Sequence, residues 1–366
     1  MNDVGLQYMR RALRLAQRGR GKVSPNPMVG AVVVRGDCIV GEGAHLQVGG
    51  PHAEVHALRQ AGDEAQGADL YVTLEPCSFH GRTPPCTEAV LRAGIKRLYC
   101  AMEDPDERVA GRGIAALREK GVAIEVGLCA EEAQTLNAAY IKHRTQNLPL
   151  VLLKLAQTLD GRIAARSGDA RWITGAQARR HVHRWRSWVD AVAVGAGTVQ
   201  ADDPLLTVRH VPGRDPRPIV IDGRLRTSPE ARVYQRPGAV LVTAEDTPAD
   251  KRCAYAVKGA EVWTFPASAG RIDLRLPLGR MAQEGMTSVL IEGGGQLAAA
   301  ALGDRVVDQV LLYLAPRLMG EGVAAIGDLG VERAAEAIQL ASSRTQRLGP
   351  DLLYTAEVQY TCSPDS

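Results

Sequence analysis

Four residues constrain this chain more than any other feature: His52, Glu54, Cys77 and Cys86. Glu54 follows His52 by two residues, and eight residues separate Cys77 from Cys86. Zn²⁺ binds imidazole nitrogen and thiolate in a tetrahedron, and a catalytic zinc site keeps one of the four positions for water. One His and two Cys supply three positions, and Glu54 is placed to carry protons. Any fold of this chain must therefore bring separated segments to one point.

The arrangement H-x-E followed by a Pro-Cys pair is typical of zinc enzymes that deaminate nucleobases. Two residues usually separate the two cysteines of such enzymes, so the eight residues between Cys77 and Cys86 indicate a distinct branch. A structural zinc is an alternative, and it would need a fourth protein ligand such as His56 or His80. A second alternative has no metal, with the two cysteines as small apolar side chains. We favour the catalytic zinc because the surrounding chain is predicted to form a suitable scaffold.

Composition limits the classes of partner. The chain has 366 residues, of which 45% are hydrophobic and 4% aromatic, with a net charge of +3. These values are typical of two globular α/β domains without a basic surface. We expect a small-molecule substrate and neither nucleic acid nor membrane as a partner, since no apolar run is long enough to span a bilayer. Seven cysteines without a disulfide-like spacing predict a reducing compartment, and we expect the cytoplasm.

Residues 1–146 are predicted to alternate between helices and strands. Arginines near the N-terminus could suggest a transit peptide, but apolar residues at helical spacing favour an amphipathic helix. The predicted elements are that helix, strands 28–34 and 38–43 in a hairpin, a helix from 51, strand 70–74, a helix that contains Cys86 in its opening turn and ends near Gly94, strand 97–101, helix 113–120, strand 122–126 and helix 127–142.

This order explains how the metal ligands can meet. His52 and Glu54 lie at the start of one predicted helix, and Cys77 and Cys86 flank the start of the next. Neighbouring helix starts lie at the same end of a layered sheet. The positive ends of the two helix dipoles favour thiolate over thiol.

A polar stretch that ends at Pro149 predicts a domain boundary, so we divide the chain into residues 1–146 and 147–366. The predicted elements of the second domain are a strand from 150, helix 176–187, strands 191–194, 218–221, 240–243 and 288–291, and helix 296–302. The glycines at 293–295, and the glycine-rich segment 195–198, could cradle a phosphate at a helix start. Glycine is also common in such turns for steric reasons alone, and the G-x-G-x-x-G pattern is absent.

Other residues of the second domain have two interpretations each. Arg171, Arg186 and Arg209 could clamp a phosphate or simply face water. Trp172 could stack on a flat ring or fill the core. The segment 202–204 could form a turn and nothing more.

At this point the motifs resemble one family over almost the whole chain. Residues 51–54 with 76–86 are similar to the deaminase half of the bacterial bifunctional riboflavin biosynthesis enzymes, which join a pyrimidine deaminase to a pyrimidine reductase. Residues 154–161, 172–174, 198–209 and 291–295 resemble motifs of the reductase half. The resemblance implies two three-layer α/β/α domains, the first like cytidine deaminase and the second like dihydrofolate reductase.

For the first domain, the resemblance implies that His52, Cys77 and Cys86 hold zinc and that Glu54 moves a proton from the zinc-activated water to the departing amine. The implied substrate is a diaminopyrimidinone that carries a ribosylamino 5-phosphate. The positions that would contact its base or phosphate are Asn26, His45, His80, Arg82 and Asp104.

For the second domain, the resemblance implies hydride transfer from NADPH to C1 of the opened ribose. It also suggests self-association through this domain. The implied NADPH contacts are Ala156, Trp172, Thr198, Asp202, Gly223, Gly294, Gly295, Gln296, Leu297, Ala298, Ala299 and Ala300. The implied substrate contacts are Ala170, Arg186, Leu206, Arg209 and Glu292, together with Lys154.

The sequence departs from the family pattern at one loop. The family usually has D-P-N-P, whereas this chain has Asp-Pro-Asp-Glu at 104–107. If this loop faces the substrate phosphate, we expect the additional negative charge to weaken binding.

Two other classes of function make different predictions. A nucleic-acid deaminase with an RNA-binding second half would need a basic stripe with interleaved aromatic residues. A non-catalytic binding module whose fold is stabilised by zinc would keep its function when Glu54 is replaced by Gln.

Overall fold

The computed structural model describes residues 3–80 and 84–360. The chain divides into two compact units, Met1–Asn147 and Leu148–Ser366. The division lies one residue beyond the predicted boundary between residues 146 and 147. In the part of the chain that the structure describes, no helix has the length and apolar character needed to cross a membrane.

The first unit has a five-stranded sheet with helices on both faces. Its strands are β1 Gly30–Arg35, β2 Cys38–Ala44, β3 Asp69–Val72, β4 Arg97–Cys100 and β5 Ala123–Val126, and its helices are α1 Asp3–Ala16, α2 Ala53–Ala61, α3 Cys86–Arg92, α4 Arg112–Glu119, α5 Ala130–Leu136 and α6 Ala138–Gln146. The sheet order is β2-β1-β3-β4-β5, with β1 antiparallel to both neighbours and the last three strands parallel.

The alternation of apolar residues in β1 produces the two cores of this unit. Ala31 and Val33 face a core shared with α2, α3 and α4. Val32 and Val34 face the opposite core, which contains residues of α1, α5 and α6. Both faces of the strand are covered, which agrees with its lack of polar side chains from residue 30 to residue 34.

One predicted element is wrong. Helix 127–142 is two helices, α5 and α6, separated at Asn137. Asn137 turns its side chain away from the helices: its amide donates to the Met28 carbonyl (3.0 Å), and its side-chain oxygen accepts from the Met28 N–H (2.8 Å). Asn favours such backbone contacts over a helix interior.

Glycines in β2 allow α2 to approach the sheet closely. A Cβ at Gly43 would lie 2.0 Å from the Ala53 carbonyl oxygen, and one at Gly41 would lie 2.1 Å from that of Ala57. Any side chain at these positions would push α2 outward. The G-x-G sequence of β2 therefore fixes the position of the helix start that carries His52 and Glu54.

Among the described residues, the second unit has a nine-stranded sheet, four further short strands and five α-helices. Its strands are β6 Leu150–Thr158, β7 Arg162–Ala165, β8 Ala191–Gly195, β9 Arg217–Ile221, β10 Val240–Ala244, β11 Glu261–Phe265, β12 Ala267–Ser268, β13 Arg271–Ile272, β14 Ser288–Glu292, β15 Gln309–Ala315, β16 Gly322–Ala324, β17 Gln339–Leu348 and β18 Asp351–Gln359. Its α-helices are α7 Ala176–Trp188, α8 Ala196–Asp202, α9 Ala249–Val257, α10 Arg275–Gln283 and α11 Gly295–Gly303.

The large sheet has the order β11-β10-β9-β8-β14-β6-β15-β18-β17. It is parallel from β11 to β15, and β18 pairs antiparallel with both of its neighbours, β15 and β17. Two apolar cores cover its faces. In a parallel sheet of this kind, ligands bind outside the carboxyl ends of the strands.

Candidate active sites

The predicted metal ligands meet in the first unit. His52 lies immediately before α2, and Cys86 is the first residue of α3. The His52 Nδ1 atom lies 3.2 Å from Cys86 Sγ and 3.6 Å from Cys77 Sγ, and the three ligand atoms lie within 4.8 Å of one another. Among residues 3–80 and 84–360, this is the single group of three or more potential ligands.

The donor set fits a zinc ion with an open position. Neither His56 nor His80 belongs to the group, and the His80 side chain is 73% exposed, 3.8 Å from Glu88. Two thiols and one imidazole without a fourth protein ligand are the donors of a catalytic zinc site. This arrangement disfavours the structural zinc that the sequence left open.

The electrostatics at the two cysteines also suit a metal. A hydrogen bond from the Cys86 thiol, opposed by burial and assisted by His52, lowers the pKa of Cys77 to about 4. The Cys86 N–H also donates to Cys77 Sγ at 3.3 Å. The hydrogen bond between the two cysteine side chains, together with burial, raises the pKa of Cys86. One thiolate therefore forms readily, as metal binding requires.

Glu54 lies in the first turn of α2, beside the metal ligands. It is 3% exposed. Burial raises the pKa of its carboxyl, and the neighbouring His52 opposes that shift. Glu54 is not part of the metal-ligand group, as expected for a carboxylate that exchanges protons.

A cavity of about 340 Å³ opens in front of these residues. His52, Glu54 and Cys77 line it, and the wall also includes three of the predicted substrate contacts, Asn26, His45 and Asp104. The volume is in the range of small-molecule sites. His80 is not part of the wall, and Arg82 lies outside the described residues.

Hydrogen bonds fix the orientation of His45 in this wall. Its Nδ1 donates to the Pro51 carbonyl at 3.2 Å, since a carbonyl can only accept. The Nε2 atom is then an acceptor, and the Asn26 amide donates to it at 3.1 Å. Burial lowers the pKa of His45, which favours this neutral form.

Sequence analysis missed Glu75, which organises the neighbouring loop. Its buried carboxylate accepts four backbone N–H groups, from Asp104 (3.1 Å), Gly111 (2.9 Å), Gly113 (2.9 Å) and Ile114 (3.1 Å). Glu75 lies three residues after the end of β3 and two residues before Cys77, so its hydrogen bonds hold the segment that carries Cys77 against the loop of residues 104–114. The only sequence signal was an acid at the end of an apolar strand.

The loop that departs from the family pattern lines the same cavity, but Asp106, the added acid that lies in the wall, is paired. Arg108 donates to both oxygens of Asp106, from Nε at 2.9 and 3.2 Å and from Nη2 at 2.6 Å. Arg144 Nε lies 3.6 Å from Asp106 Oδ2. Arg108, opposed by burial, lowers the pKa of Asp106. The charge of Asp106 is therefore balanced inside the protein, while Glu107 is exposed and does not line the cavity. Sequence analysis did not identify either arginine.

In the second unit, three predicted substrate contacts form one cluster at the carboxyl end of β14. Glu292 ends β14, and it is paired in register with Lys154 of the adjacent β6. Arg186 of α7 donates to both Glu292 oxygens, at 2.6 and 3.0 Å, and Lys154 Nζ lies 3.6 Å away. Burial alone would raise the pKa of Glu292, but Arg186 and Lys154 more than offset it and lower the pKa to about 2. Burial lowers the pKa of Lys154.

The predicted phosphate cradle starts α11 beside this cluster. Gly293 has φ +124°, a conformation that favours glycine, and the Thr198 hydroxyl accepts the Gly294 N–H at 3.1 Å. Gly195–Thr198, predicted as a turn, joins the end of β8 to the first turn of α8. Leu297 and Ala298 are buried in the core, so only their backbone can face a ligand. Gln296 is exposed, and Ala299 and Ala300 are half-buried.

The other predicted contacts of this unit are spread along its loops. Trp172 is exposed with Arg179 over its ring at 4.6 Å, and Arg171 donates to the Asp202 carbonyl. The Arg209 N–H donates to His183, while the Arg209 side chain is exposed. Leu206 is buried, and Ala156 and Ala170 are half-buried. Gly223 packs against the Gly270 backbone, where a Cβ would lie 2.0 Å from the carbonyl oxygen.

Two protein-family profiles match the chain, and each match lies within one of the two structural units. Residues 4–102 match the cytidine and deoxycytidylate deaminase zinc-binding region, and residues 149–354 match the RibD C-terminal domain. The first match contains all three candidate metal ligands, and the second contains the Glu292 cluster.

Relatives match over nearly the whole chain. The riboflavin biosynthesis protein RibD of Escherichia coli is 41% identical, over 94% of this chain and 97% of the relative. That of Aquifex aeolicus is 40% identical, over 96% and 98%. The structure of Acinetobacter baumannii RibD is similar with a TM-score of 0.89 and 36% identity, over 98% of this chain and 99% of that one. A diaminohydroxyphosphoribosylaminopyrimidine deaminase/5-amino-6-(5-phosphoribosylamino)uracil reductase from Thermotoga maritima has a TM-score of 0.83 and 33% identity, over 97% and 99%.

Proposed function

This chain belongs to the RibD family of bifunctional riboflavin biosynthesis enzymes, and from that premise we propose which substrate, cofactor and residues each of its units uses. A zinc-binding deaminase domain precedes a reductase domain, and the mixed α/β fold class predicted for both is confirmed. The two domains imply zinc and a nucleotide cofactor. The proposal concerns the chemistry within them.

The first unit deaminates a diaminopyrimidinone that carries a ribosylamino 5-phosphate. His52, Cys77 and Cys86 would hold the zinc, because these three donors converge without a fourth. When bound, zinc lowers the pKa of a water molecule towards neutrality and so supplies a nucleophile for the ring carbon that bears the amine.

Glu54 transfers the protons of this reaction. Its carboxylate takes one proton and returns it to the departing amine, so the same group serves as base and then as acid. Its place in the first turn of α2, fixed by the contacts of Gly41 and Gly43, directs it to the cavity that the metal ligands line. Asn26 and His45, locked by their mutual hydrogen bond, and Asp104 bind and orient the ring. We keep His80 and Arg82 as predicted contacts.

The second unit reduces the ribosyl group of the deaminated product to the ribityl chain. NADPH, when bound, supplies the hydride. The start of α11 and Thr198 would bind cofactor phosphate, and the residues predicted from the resemblance would line the rest of its site. Lys154, Arg186 and Glu292 form a cluster of net charge +1 at the carboxyl end of β14, which is suited to hold the anionic substrate. Self-association through this unit and a cytoplasmic location are part of the proposal.

The observation that carries the proposal is the meeting of two thiols, one imidazole and one buried carboxylate at a single cavity. The test is the change Glu54→Gln, with Glu119→Gln on the exposed face of α4 as the matched control. We expect Glu54→Gln to slow ammonia release by roughly 10²–10⁴-fold while zinc stays bound and NADPH oxidation with the deaminated substrate is unchanged. Ammonia release at the wild-type rate would contradict the role of Glu54. A preference for NADH would contradict only the cofactor.

A further inference from the structure

We infer that Arg108 and Arg144, positioned by Asp106, bind the 5-phosphate of the deaminase substrate. This inference rests on the proposed function of the first unit. It assigns a phosphate contact to a cluster that arises from the acid at position 106, and it adds two residues to the contacts that the family resemblance implies.

The cluster and two of the metal ligands line the same cavity. Asp106, Arg108 and Arg144 all line the cavity that also includes His52, Glu54 and Cys77. These metal ligands and the two arginines therefore face one and the same cavity. Phe79 connects the two groups, because it follows Cys77 by two residues and its ring lies 5.4 Å from the Arg108 guanidinium.

The cluster has a positive charge. One carboxylate between two guanidinium groups leaves a net charge of +1 on this part of the wall. Two other acids of the wall have partners of their own. Glu75 accepts four backbone N–H groups, and Asp104 accepts a hydrogen bond from Tyr140 at 2.9 Å, so within the described residues neither carboxylate is paired with the two arginines. The cluster is therefore the cationic part of the wall that can meet an anion.

Both arginines have N–H groups that are available to a ligand. Arg108 uses Nε and Nη2 for Asp106, which leaves Nη1 for a ligand. Arg144 Nε is buried and makes no hydrogen bond within the described part of the chain, since Asp106 is 3.6 Å away. A planar guanidinium with free N–H groups matches the oxygens of a phosphate. A buried donor without a partner costs free energy that a bound anion would restore.

Neighbouring side chains hold both arginines in place. Arg144 lies over the Tyr140 ring at 5.4 Å, and Arg108 lies over Phe79. Asp106 holds Arg108 in bidentate geometry, and its own N–H donates to Asp104 at 2.9 Å. Groups held in this way lose little conformational entropy on binding. Asp106 acts here through the arginines, as a positioning residue, and does not itself meet the phosphate.

The experiment measures KM and kcat for ammonia release by the zinc-loaded full-length protein, with the phosphorylated substrate and with its dephosphorylated form. The variants are Arg108→Gln, Arg144→Gln and Asp106→Asn, and Arg118→Gln on the exposed face of α4 is the matched control. We expect each arginine variant to raise KM for the phosphorylated substrate by roughly 10-fold with kcat nearly unchanged. KM for the dephosphorylated substrate should stay at the wild-type value, as should KM for the phosphorylated substrate of the reductase.

Two results would overturn the inference. One is an equal change of KM for both forms of the substrate, or no change, which would place the phosphate elsewhere, for instance at Arg82. The other is a lower KM in Asp106→Asn, which would show that Asp106 repels the phosphate and does not position its partners. If the wild-type protein releases no ammonia, the proposed function fails. The inference is then decided by calorimetric titration with ribose 5-phosphate, whose binding should weaken in both arginine variants and not in Arg118→Gln.

Discussion

Both units of the molecule hold one acid between two cationic side chains, and they differ in how far those side chains reach solvent. In the second unit, Glu292 is sealed between Arg186 and Lys154, and its side chain is 7% exposed. In the first unit, Asp106 is equally hidden at 9%, but Arg108 is 63% and Arg144 28% exposed. The two clusters have the same formal charge and different surroundings.

The different exposure of the two clusters indicates a different role for each one. Charges removed from water must be paired, and removal of one partner leaves the others desolvated. The Glu292 cluster is therefore part of the stability of its unit. The Asp106 cluster keeps its cations near water, where a missing partner is partly replaced by solvent and free donors remain for a ligand. We expect the first cluster to affect folding strongly and the second to affect mainly substrate affinity.

The largest expected effect concerns Glu292→Gln. The change leaves Arg186 and Lys154 buried without their counter-charge, which we expect to lower the free energy of unfolding of the second unit by about 3–5 kcal/mol. Urea unfolding followed by circular dichroism measures it, and Glu284→Gln, at a half-exposed acid of the same unit, is the control. Exposed salt bridges contribute at most about 1 kcal/mol, so a loss below this value would show that the Glu292 cluster does not stabilise its unit more than a surface ion pair does.

The pH dependence of stability sharpens the same contrast. Arg186 and Lys154 hold the pKa of Glu292 at about 2, below its ordinary 4.5. A carboxyl with a lowered pKa in the folded state contributes stability above pH 4.5, and that contribution is lost as the pH falls towards 2. The difference in unfolding free energy between wild type and Glu292→Gln should therefore be constant from pH 7 to 5 and shrink below pH 4.5. A difference that grows on acidification would contradict the assigned shift.

The smallest expected effect is on stability in Asp106→Asn. Arg108 can turn to solvent and the amide keeps one acceptor, so we expect a loss of at most about 1 kcal/mol in the unfolding free energy of the first unit. Thermal unfolding measures this change, with Asp63→Asn at an exposed turn as the control. A loss comparable to that of Glu292→Gln would mean that the Asp106 cluster is structural. A change in KM of this variant would then result from the destabilised fold.

Short-range patterns explain why much of the first site was predictable. His52, Glu54, Cys77 and Cys86 lie at strand and helix ends, where the α/β order dictates which segments meet. The glycines of β2 and the apolar run of β1 gave the scaffold its layers. The predicted strands and helices therefore lie within a few residues of the observed ones.

Long-range side-chain pairing was not predictable. Nothing in the sequence relates Glu75 to the N–H groups of residues 104–114, or Arg144 to Asp106, since these contacts depend on the orientation of loops. Asn137 divides a segment with continuous helical character because its side chain binds the distant Met28. Local periodicity contains no information on such contacts, and the effect of the acid at position 106 could be judged only with its two partners in place.

The most direct test of the account is X-ray absorption at the zinc edge of the purified full-length protein. We expect one zinc per chain with two sulfur ligands at about 2.3 Å, one imidazole, and one light atom from solvent at about 2.0–2.1 Å. Four protein ligands, whether a second imidazole or a third sulfur, would close the position that the proposed chemistry needs and would contradict the assignment of the first unit.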